Sequence, residues 1–413
     1  MIVTVDFETF YDDDYTVKKF STSEYVRNPL FEVLCVGIKI DDQPTTVYWG
    51  DKEVEEGLAA IDWPNATLLC HHTHFDGLIL SHHYKIVPGK YADTLSMARA
   101  LNPGIKKNDL DTVAARYGKG NKIKGVIENL KGKHYDDLSD EEKEAGTEYC
   151  ATDVDLTYEL YMEMVKDYPP KELDVIHMIV RMFANPVLRL DVDRALKEQE
   201  REKTERYNTI AASGLPLETI TKNADFAAKL EEYGITPPTK ISPTPPHKTI
   251  YAFAQTDTEF TSLAHHADTR VANLVKGRLA AKSTQAGTRV TRMLRSGADG
   301  LCLPIYINYC GAHTTRGSGG DKLNYQNLPR AEYDAQGNYL PPSAELRRSI
   351  LAPEGQVIVV VDSSQNQARL TAWLAEEEWL LEAFRHKRDP YSEFASIAYG
   401  RTITKADKLE RFI

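Results

Sequence analysis

A chain of 413 residues is long enough for two or three domains with cores of their own, and its 42% hydrophobic and 27% charged content is that of an ordinary soluble protein. No apolar run reaches membrane-spanning length and the N-terminus lacks a basic-then-apolar leader, so the expected location is the cytoplasm, with no membrane partner. The net charge of −11 argues mildly against a polyanionic partner, although a local basic surface can override the total. Five cysteines, at 35, 70, 150, 302 and 310, form no Cys-x-x-Cys pair, which points to reduced thiols rather than a disulfide framework or a zinc site.

The chain opens on Met1-Ile-Val-Thr-Val-Asp6-Phe7-Glu8, whose β-branched residues read as a strand. Side chains two apart share a face, so Asp6 and Glu8 project one way and Phe7 the other. Two carboxylates on one face want a cation; the plain alternative is a polar strand end at a sheet edge. Phe31–Ile40 and Thr45–Trp49, separated by the turn-like Asp41–Pro44, complete an antiparallel meander. A helix-like stretch, a strand at 66–70 and helices near 75–84, 93–101 and 108–117 follow. Asp76 falls where the apolar run ending at Cys70 gives way to a helical pattern (Phe75, Leu78, Ile79), a strand-to-helix junction. His71, His72, His74, His82 and His83 crowd this stretch, and structural or stacking roles are expected because no cysteine or carboxylate set completes a tetrahedral site. Ser139 with Glu142 three residues on is a capping box that opens an amphipathic helix of about 140–166. On it Tyr149 and Asp153, four apart, share a face.

Tyr168-Pro-Pro170 breaks the pattern and marks a boundary, giving expected domains of 1–168, a mostly helical 169–300, and 301–413. Residues 191–212 read as one long charged helix, and the Pro-rich Thr236–Pro246 as a stiff connector. Between Val271 and Arg295 stand Lys276, Arg278, Lys282, Arg289, Arg292 and Arg295 without one acidic residue. A solvated helix face mixes signs, so this one-sign stretch favours a phosphate contact. Ile305–Tyr309 is strand-like, and the glycine-rich loop Gly311–Asp321 carries Arg316 toward Gln326 and Asn327, groups suited to sugar or groove edges. It lacks the Gly-Lys-Ser/Thr ending of a P-loop. Gln356–Val361 predicts a fully apolar strand that delivers Asp362 at its end, as a metal ligand or a helix N-cap.

Asp6, Glu8, Asp76 and Asp153, with Tyr149 one turn before the last, resemble the DEDD exonucleases of the tyrosine subclass, the proofreading domain of family A DNA polymerases. The resemblance implies a ribonuclease H-like fold and two Mg²⁺ or Mn²⁺ ions. Asp6, Glu8 and Asp153 would hold the metals, Asp76 would support the second, and Tyr149 would orient the attacking water. His72 and Phe75 would contact the terminal nucleotide, with His72 standing where such enzymes usually carry Asn.

Further along, Arg316 with Gln326-Asn327-Leu328-Pro329 resembles that family's template–primer motif, and Arg278 through Lys282, with Arg289, its duplex-binding thumb. The run from Asp362 resembles motif A, which implies a metal role for Asp362 and nucleotide contacts at Gln365 and Gln367. Arg411 matches the first arginine of the fingers helix. Two departures stand out. Motif A reads Ser364-Gln365-Asn366-Gln367 where the family has Ser-Gln-Ile-Glu, so Asn366 and Gln367 are expected to retune the nucleotide pocket. The sequence also stops at Ile413, before the rest of the fingers and the final palm motif.

The expected fold class is therefore α/β, a ribonuclease H-like exonuclease domain followed by a mostly helical thumb and a partial α+β palm. The expected protein is a truncated or split N-terminal portion of a phage- or bacterial-type family A polymerase. It would act on DNA primer–templates and single-stranded 3′ ends, and would use dNTPs only when completed by a C-terminal polymerase fragment. Two alternatives remain at this point, a free-standing 3′→5′ exonuclease and a non-catalytic DNA-binding subunit.

Overall fold

The computed structural model describes residues 1–407 apart from 121, 124, 284, 335, 337 and 341–343, with the backbone alone at 285, 286 and 299. The chain forms two compact units, Met1–Gln356 and Val357–Ile413.

In the first unit the opening alternation becomes β1 (Ile2–Thr9), the middle of a five-stranded sheet. β2 (Val33–Ile40) and β3 (Thr46–Trp49) extend it antiparallel on one side, as the meander predicts. On the other side β4 (Thr67–Cys70) and β5 (Lys90–Asp93) run parallel, in the order β3-β2-β1-β4-β5. The sequence pattern predicts only a helix near 93. A four-residue strand is too short for its period to show, and pairing with β4 is what defines it. The parallel strands are connected through α1 (His74–His82), and α2 (Thr94–Leu101), α3 (Leu110–Arg116) and α4 (Asp140–Met164) follow. A mixed sheet of this order flanked by helices is the ribonuclease H-like arrangement.

The long helix α4 starts where its cap dictates. Ser139 Oγ accepts from the Glu142 N–H at 3.3 Å, and the Glu142 carboxylate accepts from the Ser139 N–H at 3.1 Å. Cys150, Val154, Leu156 and Leu160 are buried along it, so truncating one of them, such as Leu160 to Ala, would cost about 2–5 kcal/mol. The close approach of α4 to the sheet depends on Gly37 of β2. A Cβ there would stand 2.9 Å from both Cys150 Sγ and Val154 Cγ2. Gly37→Val is therefore expected to push α4 off the sheet and cost about 1–3 kcal/mol, read as a lower melting temperature. Because Gly37 pairs with Asp6 in register, that displacement would fall on the carboxylate-bearing end of the helix.

The predicted break at Tyr168–Pro170 does end α4, and α5 (Pro170–Ala184) begins with proline in its first turn, where the missing N–H costs nothing. Yet Ile176, Val180 and Phe183 of α5 enter the same core as the sheet. Farther on, α6 (Val192–Ala212) packs against α7 (Thr269–Lys282) and α8 (Gln285–Ser296). One separate core gathers Phe226, Leu230, Phe260 and Leu274, and another gathers Leu190, Val290, Met293 and Leu303. The Arg27 guanidinium stitches the parts together by donating to the carbonyls of Ser296 at 2.7 Å and Cys302 at 3.0 Å. The Pro-rich run is no stiff connector. Its proline-free residues form β6 (Thr239–Ile241), which pairs antiparallel with β7 (Thr249–Tyr251).

The second unit carries α9 (Asn366–Leu374), α10 (Glu378–Arg385) and α11 (Pro390–Tyr399). The strand predicted over Gln356–Val361 does not form, and Val357–Val361 are 51–90% exposed. Apolar β-branched residues favour extended backbone, but a strand exists only when a neighbour takes its hydrogen bonds, and no described strand pairs with this run.

Candidate active site

The pleat of β1 and the face of α4 bring three predicted carboxylates together. One oxygen each from Asp6, Glu8 and Asp153 lies within 4.8 Å of the others, the one such metal-capable group among the described residues. Asp6 and Glu8 project together because they are two apart on β1. Asp153 reaches them because α4 lies close over Gly37, with the Cys150 thiol 3.5 Å from the Asp6 carbonyl. Tyr149 is buried one turn before Asp153. Asp76, in the first turn of α1, stands outside the three-oxygen group, and its Oδ1 accepts from the Phe7 N–H at 3.1 Å.

Packing this many carboxylates together sets the electrostatics. Burial, then the charges of Asp76 and Asp153, hold Asp6 well above the usual carboxylate range. Burial, then Asp6 and Asp153, do the same to Glu8. Burial pushes Asp76 up to about 7. Asp153 is raised by burial, against which the neighbouring Lys122 ammonium acts. Lys122 pairs with Asp153 Oδ2 and lies 4.9 Å from the Tyr149 ring centroid. Burial alone would lower its pKa, but Asp153, Asp6 and Glu8 raise it overall. Asp153 Oδ1 is buried without a hydrogen-bond partner. An unsatisfied buried carboxylate oxygen facing two more carboxylates fits a hard divalent cation, since oxygen donors are what Mg²⁺ and Mn²⁺ take.

Behind this floor His71, His72 and His74 are held by hydrogen bonds and ring contacts. His71 Nε2 donates to the Asn108 carbonyl at 3.0 Å, its Nδ1 sits 2.9 Å from the Thr94 hydroxyl, and burial pushes its pKa down to about 4. His72 has a positive φ of 85°, held by its N–H donating to Asp93 Oδ1 at 2.8 Å. Its Nε2 meets the Tyr306 hydroxyl at 2.8 Å, and the His74 ring lies tilted against the same tyrosine at 4.6 Å between centroids. The half-buried Phe75 ring lies 6.0 Å from that of Tyr25, centroid to centroid.

Three participants escaped the sequence pattern. Asp93 hides as a helix N-cap. Tyr306 is more than half the chain away from the histidines it contacts. Lys122 does carry a signal, since Gly118–Gly125 holds three lysines and no carboxylate.

The other predicted contacts are scattered. Arg278 corrects its expectation, because it is 2% exposed and its guanidinium donates to the Ile220 carbonyl at 2.5 Å and to Asn223, 5.0 Å from the Phe226 ring centroid. Arginine's apolar stem and flat head let it serve as an internal strut. Arg292 is half-buried and donates to the Lys322 carbonyl, and Arg295 is exposed and pairs with Glu24 at 3.3 Å. Lys282 is exposed at the end of α7, and Arg289 is half-buried on α8. Arg316, Gln326 and Asn327 are exposed around the short pairing of β8 (Ile307–Asn308) with β9 (Ser318–Gly319). In the second unit Asp362 and Gln367 are exposed, and Gln365 caps α9 with φ 55°. Arg411 lies outside the described residues.

Residues 27–168 match the family model for a 3′-5′ exonuclease domain of the DNA polymerase A type. Across 99% of its length the chain is 23% identical to the DNA polymerase of Bacillus phage SP02, of which it covers 67%. Over 81% of its length it is 23% identical to DNA polymerase I of Synechocystis sp., covering 33% of that protein. A 105-residue stretch is 34% identical to the thermostable DNA polymerase I of Thermus thermophilus. Among solved structures it resembles the POL domain of Pol1 from M. smegmatis, in complex with DNA primer-template and dNTP, with a TM-score of 0.61 and 18% identity. That match covers 99% of this chain and 65% of the other. The chain thus spans about two thirds of the phage enzyme and of the solved domain, and a third or less of the bacterial polymerases.

Proposed function

We propose that the chain is part of a family A DNA polymerase and that residues 1–168 act as a 3′→5′ exonuclease that removes the terminal nucleotide of single-stranded or frayed DNA. The observation that carries this is the convergence of Asp6, Glu8 and Asp153 from two separate elements, with one Asp153 oxygen left unsatisfied. Asp6, Glu8 and Asp153 would hold divalent Mg²⁺ or Mn²⁺, two ions in all, with Asp76 supporting the second. Such ions, when bound, activate water and stabilise the leaving oxygen. Tyr149 orients the attacking water. Burial, then the charges of Glu8 and Asp153, raise its pKa, so it stays a phenol and donates a hydrogen bond rather than acting as a base. His72 and Tyr306 form the wall beside the terminal nucleotide.

The rest of the chain we assign to duplex binding and to the first part of a polymerase site. Similarity to a phage polymerase along nearly all of the chain supports this. Lys282, Arg289, Arg316, Gln326 and Asn327 are its exposed or half-exposed polar contacts, and Asp362, Gln365 and Gln367 its nucleotide-facing residues. No helix among the described residues is long and apolar enough to cross a membrane.

Lys122 supplies the first test. It sits on the carboxylate that a metal would need, so lysine and metal compete for Asp153. Lys122→Met is expected to lower the Mn²⁺ concentration that half-saturates the protein in calorimetric titration. The same change should destabilise the metal-free protein by about 2 kcal/mol at neutral pH, because it strips the carboxylates of their counter-ion. Unchanged Mn²⁺ affinity would mean that the metal binds elsewhere.

A further inference from the structure

The carboxylate cluster shares its cleft with four cationic side chains. One cleft of about 540 Å³ is lined by Asp6, Asp153 and Asp109 together with Arg99, Lys106, Lys107 and Lys122. Such a concentration of cations runs against the chain's net charge of −11. Lys122 is engaged by Asp153, but Arg99, Lys106 and Lys107 lie farther out, at the end of α2 and on the loop that leads to α3.

That loop is held from behind. The Asn108 carbonyl accepts from His71 Nε2 at 3.0 Å, and Arg116 donates to Asn108 Oδ1 at 3.1 Å and to the Lys107 carbonyl at 3.2 Å. Its backbone is therefore fixed from the protein side while both lysine side chains remain exposed. Lys107 has a loose, exposed ion pair with Asp109 at 3.7 Å, of the kind that contributes little to stability.

A nucleic-acid strand entering this cleft brings one negative charge per nucleotide toward a floor of carboxylates. Metals at the floor neutralise the scissile phosphate alone. The phosphates upstream need cations of their own, and a groove that tracks the backbone with Lys and Arg is how single strands are held. The cleft's volume falls in the range of a small-ligand pocket, about 300–1,000 Å³, which suits one or two nucleotides and not a duplex.

We propose that Arg99, Lys106 and Lys107 form the seat for the backbone phosphates immediately upstream of the scissile bond, and so set the preference for a single strand over a minimal substrate. This rests on the exonuclease reading of the carboxylate cluster. Lys106 and Lys107 act on binding, and the chemistry stays with the floor.

The test uses the full chain and its Lys106→Ala/Lys107→Ala double variant, both assayed in Mn²⁺ on a single-stranded 12-mer and on a dinucleotide. KM for the 12-mer should rise at least tenfold with kcat retained, and that loss should exceed the loss on the dinucleotide by a similar factor. On an Asp153→Ala background, the double variant's affinity for a fluorescent 12-mer should depend less on salt. The slope of log K against log salt should flatten by about 1.4, roughly 0.7 for each removed cation. Equal losses on both substrates, or an unchanged salt slope, would overturn the proposal while leaving the nuclease reading intact. A wild-type chain that hydrolyses neither substrate would overturn both. Both lysines are exposed, so the melting temperature of the variant should match that of the wild type.

Discussion

Asp153→Ala is expected to lower kcat for release of 3′-terminal nucleotides on the order of a thousandfold while leaving single-strand affinity within a few-fold of wild type. Asp153 is the one cluster member supplied by α4, so its loss opens the site on the side opposite β1. Loss of a group that positions catalytic metal removes several kcal/mol of transition-state stabilisation, and about 4 kcal/mol is a factor of roughly a thousand. The side chain's structural duty is confined to its ion pair with Lys122. Its Oδ2 pairs with Lys122, its Oδ1 has no partner, and α4 is anchored by Cys150, Val154, Leu156 and Leu160. In EDTA above pH 7 the variant loses a repelling charge and the Lys122 ion pair together, so its melting temperature should stay within a few degrees of wild type. Quantitative gel kinetics beside a binding titration checks both halves. A variant that loses binding and activity together would point to a structural role.

The carboxylate cluster should contribute less stability to the metal-free protein as pH rises, and divalent cations should reverse this. A buried carboxyl whose pKa is raised in the folded state holds its proton there while the unfolded chain releases it. Its stabilising contribution is complete below the unfolded value of about 4 and is lost as pH climbs through the folded one. For Asp76 that window extends up to about 7, and Asp6 and Glu8 move in the same direction. The combined loss is on the order of a few kcal/mol, because a tenfold change in proton affinity is worth about 1.4 kcal/mol and the groups titrate together. At pH 8, millimolar Mg²⁺ or Mn²⁺ should restore it by binding only the folded cluster. Melting curves at pH 5 and pH 8, with EDTA and with Mn²⁺, test the sign. Buried neutral histidines such as His71 pull the other way over this range, so the sign is read from the gain on adding Mn²⁺, and a gain larger at pH 5 than at pH 8 would contradict the account.

Much of the site was legible because short-range periodicity encodes it. Two residues on a strand and four on a helix put Asp6 with Glu8 and Tyr149 with Asp153, and the Ser139 capping box marked where α4 begins. Whatever depends on distant partners was hidden. Arg278 sits in a stretch with no acidic residue, yet its neighbours are a carbonyl and two aromatic rings from other elements, so it became a buried strut. Val357–Val361 has every local preference of a strand, but pairing is a property of two segments and composition alone does not supply the second. Lys122 lay in plain sight in a basic, glycine-rich segment. Only the fold shows that it lands on Asp153.

The most direct measurement is a time course with a 5′-labelled oligonucleotide annealed to a longer template, run in Mg²⁺, in EDTA and with the Asp153→Ala variant. The account predicts a ladder that shortens from the 3′ end in Mg²⁺ and is absent in the other two lanes. An intact primer in Mg²⁺, or equal shortening by the variant, would contradict the assignment of Asp6, Glu8 and Asp153 as the hydrolytic centre.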